Sequence, residues 1–96
     1  MNILQKQKEK YLEYCRLQKR LDLKTIKAYR IDLTQFIEQI TVDNLSEITP
    51  DLLEKYIGRL HQIYRPKTAK RKIASLKAFF HYLEYKEIII QNPFNK

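Results

Sequence analysis

Cysteine is almost missing from this sequence. Cys15 stands alone, so no internal disulfide can form. It lies at helical spacing from Tyr11 and Leu12, which reads as a buried structural thiol rather than a nucleophile. A lone thiol suits a reducing compartment, and a cytoplasmic location is expected. The two histidines, His61 and His81, have no cysteine or histidine at ligand spacing, so neither a metal nor another cofactor is expected. The single glycine, Gly58, excludes a glycine-rich loop that cradles phosphates. No Ser/His/Asp arrangement or paired carboxylates in an apolar setting point to catalysis, so this chain is expected to carry out no chemistry of its own. No apolar run exceeds three residues, as in Ile88-Ile89-Ile90, far below the roughly 18–20 of a membrane span. The N-terminus alternates lysines with polar residues and has no apolar signal core. At 96 residues the chain has room for one domain with one core.

What is plentiful is positive charge, and it is unevenly placed. The net charge is +8. Residues 16–30 carry Arg16, Lys19, Arg20, Lys24, Lys27 and Arg30 against the single acid Asp22. Residues 65–77 carry Arg65, Lys67, Lys70, Arg71, Lys72 and Lys77 with no acid at all. Between them, residues 31–64 hold six acids and two bases. A surface that only needs solubility has no use for this segregation. Two basic segments around an acidic one suggest a field aimed at a polyanion.

The hydrophobic spacing is helical throughout, and no segment keeps a period of two. A first helix is predicted from about Leu4 to Lys19, with Leu4, Tyr11, Leu12, Cys15 and Tyr14 apolar and its first two turns polar enough to fray. A second runs from about Leu23 to Ile40 behind an Asp22 N-cap, with Ile26, Tyr29, Leu33, Phe36, Ile37 and Ile40 on one face. A polar loop over residues 41–46 precedes a third helix, capped by Thr49 with Pro50 in its first position and Ile48 placed to staple onto Leu53. Leu53, Tyr56, Ile57 and Leu60 form its stripe, and Gly58 is a candidate for a close helix crossing. The fourth runs from Pro66 to about Tyr85, with Ala69, Ile73, Leu76, Phe80 and Leu83 in line and Phe79 at the edge. Lys67, Lys70, Arg71, Ala74, Lys77 and Ala78 take its far side, with Thr68, Lys72 and Ser75 as a flanking polar strip. Asn92-Pro93 should end the domain in an extended tail, with Ile88 and Ile90 available to pack back. The fold class expected is all-α, a compact four-helix bundle.

Two helix starts are the most informative feature. Lys24-Thr25 and Lys67-Thr68 each put a cation and a hydroxyl into a first turn. Cations there oppose the helix dipole by a few tenths of a kcal/mol, so they look like surface kept for a partner. Duplex DNA, with a phosphate about every 1.7 Å of axis, is the natural polyanion. The bland reading of a lysine-rich helix face is a solvated surface, and Lys6, Lys8 and Lys10 are read that way. The acid-free run at residues 65–77 is not, which makes Lys70 and Lys77 candidates too. The aromatic residues follow the core stripes and read as packing rather than base-stacking platforms.

Several segments then match a known pattern in order and spacing. They are Tyr11-Leu12-Glu13-Tyr14; Thr25-Ile26-Lys27-Ala28-Tyr29-Arg30-Ile31-Asp32-Leu33 with Phe36; Ile48-Thr49-Pro50-Asp51-Leu52; Pro66-Lys67-Thr68-Ala69; and Ile73-Ala74-Ser75-Leu76-Lys77-Ala78-Phe79-Phe80, with Asn92-Pro93 closing. Together they resemble the N-terminal, SAM-like core-binding domain of tyrosine recombinases of the phage-integrase and Xer type. The resemblance implies a DNA-binding domain over residues 1–94, followed at 95–96 by the start of a linker. The chain is read as either a fragment or a stand-alone binding module, and the fragment is favoured; its implied partner is then a catalytic domain of the same parent chain, the two clamping duplex DNA at a recombination half-site. The resemblance implies a monomer in isolation that assembles on DNA in the full-length protein, and it makes no tyrosine here catalytic. By position, the implied DNA contacts are Lys24, Thr25 and Lys27 in the second helix, and Lys67, Thr68, Arg71, Lys72 and Ser75 in the fourth. Arg65 departs from the pattern, since the family often has serine or a similar cap before this proline. Two other readings compete: a helix-turn-helix transcription regulator, and a protein-interaction module whose basic face meets an acidic protein.

Overall fold

Each helix start is fixed by a local hydrogen bond or by a proline. In the computed structural model, which describes residues 2–95, α1 spans Ile3–Leu17 and begins where the Asn2 side chain accepts the N–H of Gln5 at 2.9 Å. Helix α2 spans Leu23–Ile40, with Asp22 accepting the N–H of Thr25 at 2.8 Å. After a 3-10 turn at Leu45–Glu47, α3 spans Pro50–Ile63, with Thr49 accepting from Leu52 at 3.2 Å. Helix α4 spans Pro66–Tyr85, and Arg65 offers it no side-chain cap. Ile48 and Leu53 are both buried, as a hydrophobic staple requires.

Helix α4 packs against all three others, so the molecule is a four-helix bundle built around its last helix. The core is mostly aliphatic, with a set of aromatic rings threaded through it. Tyr11 lies 5.0 Å from Tyr82 and 5.5 Å from Phe79, ring centre to ring centre. Phe36 meets Tyr56 at 5.0 Å, and Phe80 meets Phe94 at 5.6 Å. Tilted and edge-on pairs of this kind add to the apolar area they bury.

Four expectations are corrected. The start of α1 is packed rather than frayed: Leu4, Gln7 and Lys8 are buried, and the Lys8 ammonium donates to Thr34 Oγ1 at 3.0 Å. The 41–46 loop is not simply polar, because Val42 is buried and Glu47 accepts the N–H groups of Asp43 and Asn44. Gly58 marks no helix crossing, since a Cβ built there meets nothing within 4 Å. The tail is turned, not extended. Glu87 takes a left-handed φ of 58°, and the N–H groups of Glu87 and Ile88 return to the carbonyls of Glu84 and Leu83. That is a Schellman ending with glutamate where glycine is usual. Ile88 and Ile89, not Ile90, pack on the core, because the turn throws Ile90 fully into solvent. Buried Asn92 then donates to Glu84 and accepts the N–H of Phe94 in an Asx turn. Of the two residues expected to start a linker, Asn95 is exposed and Lys96 lies outside the described residues.

Candidate nucleic-acid interface

Periodicity alone puts the core stripe of α2 on one side and Lys24, Lys27, Ala28, Ile31 and Gln35 on the other. The structure keeps that division, with Lys24, Lys27 and Ile31 exposed and Ala28 and Gln35 half-buried. Thr25 is half-buried, its N–H spent on the Asp22 cap. On α4, Lys67, Lys70, Ala74 and Lys77 are exposed and Thr68 is half-buried. Arg30, part of the basic segment, is withdrawn into a 2.7 Å pair with Glu9. The Glu9 carboxyl is held below its ordinary pKa, chiefly by that hydrogen bond from Arg30.

Two expected contacts are not at the surface. Lys72 is 5% exposed and Ser75 is sealed. Both converge on the carboxylate of Asp32, itself buried on α2. Ser75 Oγ donates to Asp32 Oδ2 at 2.7 Å, Lys72 Nζ to Oδ1 at 3.0 Å, and Arg71 Nη1 to Oδ2 at 2.8 Å. Lys72 also donates to Gln35 Oε1 at 2.7 Å, and its ammonium stands 4.9 Å from the centre of the Tyr64 ring. Taking a lysine out of water is expensive unless such partners replace its hydration. Here a carboxylate, an amide oxygen and an aromatic face do so. One carboxylate is set against two cations, so an uncompensated positive charge remains. It emerges at Arg71, whose side chain is 48% exposed.

Asp32, Gln35 and Tyr64 were not picked out by sequence reasoning. A signal for Asp32 exists: it sits three residues after Tyr29 and four before Phe36, both on the apolar stripe. A carboxylate at that position lies on the buried edge of the helix and needs partners. The acid-free run on α4 supplies them.

Burial pushes Tyr11, Tyr29, Tyr56 and Tyr82 above the ordinary tyrosine pKa, the reverse of what a phenolate needs. Among the described residues no cluster of His, Cys, Asp or Glu is suited to a metal ion, and no helix is long and apolar enough to cross a membrane.

The family model for the phage integrase N-terminal SAM-like domain matches residues 9–87. The chain belongs to that family. It is 62% identical over its full length to a tyrosine recombinase of Agathobacter rectalis, covering 31% of that protein. It is 34% identical over 94% of its length to the tyrosine recombinase XerC of Herpetosiphon aurantiacus, again covering 31%. A XerC of Leptospira interrogans is 28% identical over 88% of the chain, which covers 29% of it. The chain thus spans about a third of the length of these curated relatives. No solved structure matches. Within this SAM-like domain, Asp32 on α2 is tied to Arg71 and Lys72 on α4 and so joins the two helices.

Proposed function

We propose that this chain is the DNA-gripping domain of a tyrosine-type site-specific recombinase, working in the cytoplasm to hold duplex DNA at a recombination half-site. The observation that carries the reading is two packed helices, α2 and α4, whose free faces present Lys24, Lys27, Lys67, Lys70, Arg71 and Lys77. Thr25 and Thr68 stand in the first turns of those helices and add hydroxyls to the same surface. Most of these groups serve phosphates, which position a protein on DNA without specifying sequence. Lys72 and Ser75 act from behind by holding Asp32 against Arg71. Strand cleavage and rejoining belong to a catalytic domain elsewhere in the parent protein. The chain alone is a monomer, and assembly on DNA runs through that other domain.

The test is a titration of duplex DNA at rising salt, comparing the wild type with a Lys67→Ala/Lys70→Ala/Lys77→Ala variant. Binding at low salt that falls steeply with salt, and a slope reduced by roughly one for each lost phosphate contact, supports the reading. Absence of duplex binding at low salt, or equal slopes for the two proteins, refutes it and favours an acidic protein partner.

A further inference from the structure

Lys67, Lys70, Arg71 and Lys77 share the solvent side of α4, yet Arg71 is the one held by a buried carboxylate. Asp32 Oδ2, which accepts from Arg71, cannot swing freely. Ser75 donates to the same oxygen at 2.7 Å, and Lys72 holds the other oxygen at 3.0 Å. A guanidinium carries five N–H donors in one plane, so an Asp32 contact through Nη1 leaves most of them unused. The neighbouring lysines are compact charges on flexible stems and can follow a phosphate wherever it lies. A planar fork fixed at one end offers its remaining donors in one direction only. That suits the paired acceptors O6 and N7 on the major-groove edge of guanine.

The surroundings fit a close approach to bases. On α4 the surface beyond Arg71 continues through exposed Ala74, which holds no long side chain between the helix and a groove floor. On α2, Ile31 directly precedes Asp32 and is 45% exposed, an apolar group amid cations. Apolar side chains at a DNA surface contact thymine methyls.

The geometry points to Arg71 as the residue with which this chain reads sequence, donating to a guanine while the lysines hold phosphates, and to Asp32 as its positioning residue. The inference rests on the duplex-binding reading above. It accounts for burying a lysine, a serine and an aspartate together behind a cationic face: the three fix the direction of the one cation that must discriminate.

The experiment is selection of binding sites from a randomised duplex pool by the 96-residue chain, in wild-type, Arg71→Lys and Asp32→Asn forms. The wild type should enrich a guanine at one position. Arg71→Lys keeps the charge but not the planar fork and should lose about tenfold in preference for guanine at that position. Asp32→Asn should weaken the same preference where circular dichroism shows it folded; if it does not fold, Arg71→Lys decides alone. Enrichment of the same guanine by Arg71→Lys overturns the proposal. So does a wild type that binds duplex in a salt-dependent way with no base preference, and in both cases the duplex-binding reading stands. A wild type that binds no duplex overturns both.

Discussion

The two halves of α4 are held in opposite ways. Its C-terminal half is fixed by aromatic packing, with Phe79, Phe80 and Tyr82 set among Tyr11, Phe36 and Phe94. Its N-terminal half is fixed by charge, through Arg71, Lys72 and Ser75 on Asp32. Apolar packing is non-directional and tolerates exchange among residues of similar volume. A hydrogen-bonded ion cluster is directional, and a buried one contributes little net stability over an apolar replacement. The half of the helix that bears the cationic face uses the interaction that fixes direction, and the other half uses the one that fixes only proximity.

The largest effects should test that contrast. Asp32→Ala leaves Lys72 buried without its counter-ion and should cost about 3–5 kcal/mol in denaturant unfolding. Phe80→Ala should cost a similar amount, about 3–5 kcal/mol, through a cavity. The two losses separate on rescue. Asp32→Leu combined with Lys72→Met should recover most of the stability while leaving duplex binding impaired, because Arg71 has lost its anchor. No polar replacement at Phe80 should recover anything. Full DNA binding by the rescued double variant would show that the charge cluster serves stability alone.

Smaller effects probe the frame around the contrast. Gly58 lies exposed inside α3 with open space at its missing Cβ, so Gly58→Ala should stabilise by about 1 kcal/mol, read as a rise in the melting temperature. Glu87 holds a left-handed φ of 58°, and Glu87→Gly should stabilise by about 0.5–1 kcal/mol in the same assay. The smallest effect is with pH. The Asp22 carboxyl is held below its usual 3.8 by accepting the Thr25 N–H, and Glu9 below its usual 4.5 by Arg30. A depressed folded-state pKa stabilises the fold above the unfolded value, and the contribution fades as pH falls through the folded one. Acid unfolding monitored from pH 5 to pH 2 should therefore become slightly less steep in Asp22→Asn and in Glu9→Gln, and duplex binding should not change with either.

Much of this was legible in the residues. The starts at Asp22, Thr49 and Pro66 and the stripes of all four helices follow from capping chemistry and a period of 3.6, both local in sequence. What escaped was non-local. Lys72 and Ser75 lie on the polar strip of α4 by periodicity, and nothing within forty residues says that a carboxylate will meet them. Only the packing of α2 on α4 turns that strip inward. The tail escaped for a similar reason: Ile88, Ile89 and Ile90 are equivalent as a string, and the left-handed turn at Glu87 selects which of them face the core.

The burial of Lys72 also has a consequence for reactivity. An ammonium that donates hydrogen bonds to Asp32 and Gln35 beneath an aromatic ring is shielded from amine-acylating reagents, whereas Lys67, Lys70 and Lys77 are open to them. In a lysine-labelling footprint, Lys72 should be silent before any DNA is added. Its silence would report an intact bundle, and protection at its three exposed neighbours on adding duplex would support the proposed DNA face.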